Sequence, residues 1–277
     1  MLAGAGVKVW AGPAKRLEGL VGDIPGAALL VDVGTRRLIA VHGAAVAGAF
    51  AAPPGSAAKP FTIEALLGSG KLRAEDAFPC PGGLEIGGRS FACSHPAMAA
   101  PMQVRTALAY SCNCFVAHFA ERFAPGELAA HLVRCGLGSR TGWFGDAEGS
   151  GRVGRAEGRE ARQLQALGEG GVTVTAAALA LAYRRLALSA PEEIRSGLEG
   201  AVEFGTAQLA RVDGVRVAGK TGSVRAADGA RIAWFAGFAP SRSPTAVVTV
   251  MLQGRSGGGD AAPIAQRILA AHLAGRL

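Results

Sequence analysis

The stretch Pro53-Pro54-Gly55-Ser56-Ala57-Ala58-Lys59-Pro60-Phe61-Thr62 marks a change from extended chain to helix. The Pro-Gly pair closes the extended run. Pro60 is tolerated just inside a helix because first-turn N–H groups have no intrahelical acceptor. The spacing therefore predicts a helix that starts at Ser56. Residues three apart share a helix face, so Lys59 comes back beside the Ser56 hydroxyl. The helix start also directs backbone N–H groups and the positive end of the dipole at any oxyanion forming there. A serine hydroxyl reacts only when a neighbour takes its proton, and lysine takes it only when neutral. Burial or a nearby second cation is what lowers a lysine pKa that far.

Two further segments complete a constellation. Ser111-Cys112-Asn113 falls where the Met102–Tyr110 helical pattern pauses before Phe115–Phe123 resumes it. An interhelical loop there would push two short polar side chains into a cleft, Ser111 as a proton relay and Asn113 as an anchor for a substrate amide. Lys220-Thr221-Gly222-Ser223 follows the strand-like Val215-Arg216-Val217-Ala218-Gly219. Lys220 is the candidate second cation, and with the Thr221 and Ser223 hydroxyls it forms a carboxylate receptor. Gly219 and Gly222 are expected to leave room for a ligand backbone on an exposed edge strand. The N–H groups of Ser56 and Ser223 are a candidate oxyanion hole. Singly, each triplet is common by chance. Their order, S-x-x-K at a helix start, S-x-N between helices and K-T-G on a strand, carries the information.

Around these motifs the chain changes texture twice. Residues 27–33 and 38–41 read as strands joined by Gly34-Thr35-Arg36-Arg37, preceded by a helix over Trp10–Val21. The middle, from Phe50 to about Glu203, shows helical patterns near Phe61–Leu67, Pro101–Phe123, Gly126–Cys135 and Thr175–Leu188, with Gly-rich charged linkers over 136–160. Val215–Val224, Ile232–Phe238 and Ala246–Leu252 read as strands, and Ala262–Leu273 as a closing helix. The expected class is α+β: an antiparallel sheet of about five strands formed by both termini, flanked by terminal helices, with an inserted all-α lobe. Residues 1–24 would form a lead-in and 25–277 one unit, its sheet part at about 25–50 and 205–277 and its helical part at about 51–204.

With 277 residues, 49% of them apolar, the chain can bury a sizeable core. The net charge of +8 permits an anionic partner. Its basic residues are scattered, however. The densest group, Arg152, Arg155, Arg159 and Arg162, is interleaved with Glu157 and Glu160 and has no aromatics, so it reads as a solvated face and no nucleic-acid partner is expected. The five cysteines follow no C-x-x-C pattern. Cys80 and Cys93 bracket a Gly-rich hairpin-like stretch and read equally as a disulfide or as two thiols. Cys112 and Cys114 flank Asn113, and Cys135 is the odd one. His118 reads as a structural histidine. His95 with Cys93 is a conceivable metal pair, but the expectation is no metal site and no cofactor. No apolar run reaches the length of a membrane span, and the first twenty residues lack the order of a signal peptide.

Taken with their flanks, these motifs resemble the transpeptidase domain of penicillin-binding proteins, class B-like, from about residue 25 to 275. Pro54-Gly55-Ser56 through Thr62 is similar to the family's nucleophile segment, and Cys80-Pro81-Gly82-Gly83 through Cys93 to the stretch that follows it. Further likenesses are Gly136-Leu137-Gly138 with Thr141-Gly142, Gly168-Glu169-Gly170 with Val174-Thr175, Gly205-Thr206-Ala207, and Ala233–Pro240. Glu169 departs from the family's usual glutamine, and the interval from Asn113 to Lys220 is compact. The resemblance implies a peptidoglycan D,D-transpeptidase with a Ser56 acyl-enzyme, Lys59 as base, Ser111 as relay, Asn113 as anchor, and Lys220, Thr221, Gly222 and Ser223 as the carboxylate and oxyanion site. It implies peptidoglycan stem peptides and β-lactams as ligands, a glycosyltransferase or other wall-synthesis proteins as partners, and a cell-envelope location. Two other readings stand beside it: a serine β-lactamase, with Glu148 or Glu169 as the deacylating group, and a penicillin-recognising sensor or scaffold without turnover.

Overall fold

The computed structural model describes residues 14–226 and 229–277. The part of the expected Trp10–Val21 helix before Ala14 lies outside the described residues. The first half of the chain runs α1 (Ala14–Val21), β1 (Gly26–Asp32), β2 (Leu38–His42), α2 (Ala44–Ala49), β3 (Ala51–Ala52), α3 (Lys59–Gly68), β4 (Gly83–Ile86), β5 (Arg89–Ala92), α4 (Val104–Ala109), α5 (Asn113–Ala120) and α6 (Glu127–Arg134). The second half runs β6 (Arg152–Val153), α7 (Arg159–Ala166), β7 (Val172–Thr175), α8 (Ala176–Ser189), α9 (Glu192–Glu203), β8 (Ala218–Arg225), β9 (Arg231–Ala239), β10 (Ala246–Gln253) and α10 (Ala262–Leu273).

Five strands form one antiparallel sheet in the order β2-β1-β10-β9-β8. The two ends of the chain meet at β1 and β10, where Leu29 lies opposite Thr249 and Val31 opposite Val247. Both faces of this sheet are covered, which is why its central strands read as continuous apolar runs rather than alternating ones. On one face Leu30, Val248 and Phe235 pack with Leu17 of α1 and Ile264 and Ile268 of α10. On the other, Leu29, Val31, Trp234, Phe238 and Met251 join Leu179 and Tyr183 of α8 and the helical region. Trp234, Phe235 and Phe238 are fully buried, each stabilising the fold by roughly 1.5–3 kcal/mol through area removed from water.

The insertion between β2 and β8 is mainly helical, as expected, and it also carries short strands. β3, β7 and β6 form a three-stranded sheet and β4 and β5 a hairpin. α2, α7 and α9 were not legible from the periodicity. α9 carried a signal nonetheless: Pro191-Glu192-Glu193 opens it with acidic residues in the first turn, and Ile194, Leu198 and Val202 recur at helical spacing and are buried. One boundary differs in a way that matters. Ser56 lies in a 3₁₀ turn over Gly55–Ala58, and the α-helix proper begins at Lys59. With three residues per turn, positions i and i+3 eclipse, which places Lys59 on the Ser56 side of the turn.

Candidate active site

The Ser56 turn is held from three directions by groups other than its own side chain. Gly55 N–H donates to Gly168 O at 2.9 Å. Tyr183 Oη, from buried α8, donates to Ala57 O at 2.9 Å. Trp234 Nε1, from β9, donates to Pro53 O at 3.0 Å. Gly55 has φ +52°, and a Cβ there would sit 2.4 Å from Val224 Cγ1, so glycine is needed both for the turn and for the close approach of β8.

Lys59 and Lys220 are both fully buried. Lys59 Nζ donates to Ser111 O at 2.7 Å, Asn113 Oδ1 at 2.6 Å and Ser111 Oγ at 3.3 Å. Burial pushes the Lys59 ammonium down to about 8. Lys220 Nζ donates to Thr221 O at 3.1 Å, and burial, with the Lys59 charge second, pushes its pKa well below the ordinary lysine value. The Lys59 charge thus makes the neutral form of Lys220 easier to populate, whereas Lys59 itself is lowered by burial and not by the second cation expected from the sequence.

Ser111 owes its position to a helix end. Cys112 N–H bonds to Ala107 O and Ser111 N–H to Leu108 O, the paired bonds of a Schellman motif closing α4. The residue after the cap in that motif takes a left-handed conformation, usually as glycine. Here it is Ser111, with φ 58°. A non-glycine residue in this region carries strain on the order of 1 kcal/mol. The site keeps the hydroxyl despite the strain. Ser111→Gly is therefore expected to leave the fold equally or more stable, by up to ~1 kcal/mol, while slowing reaction with penicillin. Denaturant titration read beside acylation kinetics checks the two halves separately, and equal acylation rates would remove Ser111 from the chemistry.

On the strand side, β8 is the edge of the sheet, as anticipated. The two glycines do something different from what was expected of them. A Cβ on Gly222 would meet Pro54 O at 2.5 Å and Ala57 N at 3.2 Å, and one on Gly219 would meet Phe235 Cζ at 2.4 Å. Both let β8 pack against the protein itself: Gly222 against the Ser56 turn, Gly219 against a core ring. Thr221 Oγ1 donates to Thr206 Oγ1 at 2.9 Å, and Ser223 Oγ accepts from Gly257 N–H at 2.9 Å.

A cavity of about 530 Å³ brings together Ser56, Ser111, Asn113, Thr221, Gly222 and Ser223. Lys59 and Lys220 lie buried beneath it. Sequence reasoning missed the rest of the lining: Thr206, Gln208, Ser256, and an aromatic side made by His95, Tyr110 and Phe204. Tyr110 and Phe204 rings lie 5.5 Å apart, and His95 and Tyr110 rings 6.1 Å apart. Thr206 sat inside a segment singled out beforehand, Tyr110 closed a helical pattern, and His95 was weighed only as a metal ligand; none was expected to line the cavity.

The remaining candidates fall elsewhere. Both Glu148 oxygens are engaged, accepting from Thr141 N–H at 2.6 Å and Gly142 N–H at 2.7 Å. Glu169 pairs with Arg89 at 2.8 Å. Neither lines the Ser56 cavity. Arg155 pairs with Glu157 and Arg159 with Glu121 on the surface, as a solvated face should. His118 stacks on Phe78 at 4.2 Å between ring centroids. Cys80 and Cys93 are thiols with sulfurs 3.6 Å apart.

The geometry can now be set against known proteins. The sequence profile of the penicillin-binding protein transpeptidase domain matches residues 26–270. The chain belongs to the penicillin-binding protein transpeptidase family. Among curated relatives of this family, the chain is 27% identical over 259 residues to the "Probable peptidoglycan D,D-transpeptidase PenA" of Neisseria flavescens, covering 79% of this chain and 64% of that protein. It is 28% identical over 270 residues to "Stage V sporulation protein D" of Bacillus subtilis (strain 168), covering 78% of this chain and 41% of that one. The chain thus spans less than two thirds of the length of either. Its fold matches Pseudomonas aeruginosa PBP2 with TM-score 0.82 at 19% identity, over 94% of this chain and 76% of that one. It matches the transpeptidase domain of Burkholderia pseudomallei penicillin-binding protein 3 with TM-score 0.81 at 22% identity, over 95% of this chain and 91% of that one. The antiparallel five-stranded sheet and the α+β class are those of this transpeptidase fold.

Proposed function

We propose that this chain is a serine D,D-transpeptidase that closes peptide cross-links in peptidoglycan through an acyl-enzyme on Ser56. The observation that carries the reading is the convergence of Ser56, Ser111, Asn113 and the Thr221–Ser223 edge on one cavity, with two buried lysines beneath. Ser56 Oγ attacks the carbonyl of the penultimate D-alanine while its proton passes to neutral Lys59 Nζ. The oxyanion is stabilised by the N–H groups of Ser56 and Ser223. Ser111, within hydrogen-bond reach of Lys59, passes the proton to the departing D-alanine nitrogen. Asn113 holds the substrate amide, and Lys220, Thr221 and Ser223 receive the terminal carboxylate. The acyl group then moves to the amine of a second stem peptide, or to water in a carboxypeptidase side reaction. With a β-lactam the leaving nitrogen stays tethered, so the adduct persists.

This reading implies a cell-envelope location and wall-synthesis partners such as a glycosyltransferase. Among the described residues, no helix is long and apolar enough to cross a membrane. A β-lactamase of the type that deacylates through a glutamate needs that carboxylate to activate the water. Glu148 and Glu169, the two weighed for that part, are both engaged by other groups, and neither lines the cavity.

Intact-protein mass spectrometry with benzylpenicillin is the test. One adduct per chain, stable over hours, is the expected result. Rapid loss of the adduct with release of hydrolysed drug would favour the β-lactamase. A folded protein that takes up no adduct would overturn both enzyme readings.

A further inference from the structure

Behind the Ser111–Asn113 loop three sulfurs form a closed triangle. Cys80 and Cys93 are 3.6 Å apart, Cys93 and Cys112 3.9 Å, and Cys80 and Cys112 3.4 Å. Four ligands about 2.3 Å from a tetrahedral zinc ion stand about 3.8 Å from one another. A disulfide would need two of them at about 2.05 Å and leave the third out. The donor atoms of Cys80, Cys93, Cys112 and His95 all lie within 4.8 Å of one another. His95 Nδ1 lies 2.8 Å from Pro96 O, an acceptor, so Nδ1 carries the proton and Nε2 holds the lone pair. That Nε2 is buried and without a hydrogen-bond partner.

We propose that Cys80, Cys93, Cys112 and His95 bind one zinc ion that fixes the Ser111–Asn113 loop. On binding, the three thiols release their protons and neutral His95 supplies the fourth ligand, which leaves the site with one net negative charge. Two sulfurs already accept backbone N–H groups in the way metal thiolates are supported: Cys80 from Gly82 and Cys112 from Phe115, both at 3.4 Å. Three separate pieces of chain would be tied together: the entry to the β4–β5 hairpin, its exit with His95, and the loop between α4 and α5. Cys112 lies between Ser111 and Asn113, so the ion would hold the strained Ser111 turn in place. Cys114, 3.6 Å from Cys93, instead lines the neighbouring cavity with His118. No paired-cysteine spacing announces the site, because its ligands meet only through the fold. The expectation of no metal read from the sequence is replaced by this proposal.

The test uses the whole chain, reduced and loaded with Zn²⁺ or Co²⁺. One equivalent of zinc is expected by elemental analysis, and Co²⁺ should give the intense visible bands and sulfur-to-cobalt charge transfer of a tetrahedral thiolate site. Cys93→Ser and His95→Ala should weaken zinc binding at least tenfold, whereas Cys114→Ser and Cys135→Ser should keep the full equivalent. Three results would overturn the proposal: reduced wild type that retains no stoichiometric metal, an octahedral cobalt spectrum, or loss of binding in Cys114→Ser with retention in His95→Ala. The wild-type cobalt spectrum decides the matter even if a cysteine variant misfolds. It also does so independently of whether penicillin acylates Ser56.

Discussion

Ser56→Ala is expected to remove the penicillin adduct completely while the protein stays folded. The hydroxyl is half-buried at the cavity, and the bonds that shape its turn belong to other groups: Gly55 N–H to Gly168 O, Tyr183 Oη to Ala57 O, and Trp234 Nε1 to Pro53 O. Alanine suits helical turns well, and the change opens no core cavity. The thermal midpoint should therefore move by no more than a few degrees, on the scale of a surface substitution. Intact mass after penicillin treatment, beside a melting curve, checks both parts. An adduct that survives in the folded variant would move the nucleophile to another residue and sink the assignment.

Lys59→Arg should slow acylation by about 10³-fold or more, the scale on which losing one member of a catalytic set acts. Arginine keeps the positive charge in the same pocket but does not deprotonate in a protein, so it cannot accept the Ser56 proton. In the wild type, burial brings Lys59 down to about 8. Only the neutral amine is a base, so the acylation rate should climb as pH rises through about 8 and level off above it. The variant should show no such rise. Stopped-flow acylation across pH separates the two, and an unchanged profile in the variant would remove Lys59 as the base.

The same shift bears on stability. The native state releases the Lys59 proton near pH 8, whereas the unfolded chain holds it to its ordinary value of 10.5. Between those values the unfolded state binds more protons, so stability should rise with pH across that window, by roughly 3 kcal/mol from this fully buried group. Lys220 is lowered in the same direction and adds to the rise. Denaturant midpoints measured between pH 7 and 10.5 would show it.

Local pattern carried the reading wherever a residue's role depends on its near neighbours in sequence. The apolar runs of β1, β9 and β10, the closing helix α10, and the pause at Ser111 between two helices were legible for that reason. α7 is a short helix rich in charged and polar residues, where an apolar pattern is weak, and it became evident only as a packed element, whereas the spacing of Ile194, Leu198 and Val202 in α9 was there to be read. The 3₁₀ turn at Ser56 escaped because α and 3₁₀ starts share the same Pro-Gly and Pro60 signals. The fold sets it by pulling the turn onto Gly168, Tyr183 and Trp234.

By itself the sequence determined which residues were candidates for chemistry: a serine with a lysine three positions on, a Ser-x-Asn loop, and a Lys-Thr-Gly strand, in that order. Spacing of a few residues is set by backbone geometry, so such pairs keep their relation in any fold that forms the element. Only the tertiary structure decided what those segments meet. It put Lys59 against Ser111 and Asn113, turned Gly222 toward the Ser56 turn rather than toward a ligand, and gathered Cys80, Cys93, His95 and Cys112 into one cluster. Such contacts join positions tens to more than a hundred residues apart. They arise when the two ends of the chain close one sheet and the inserted helices pack over it, which no local pattern encodes.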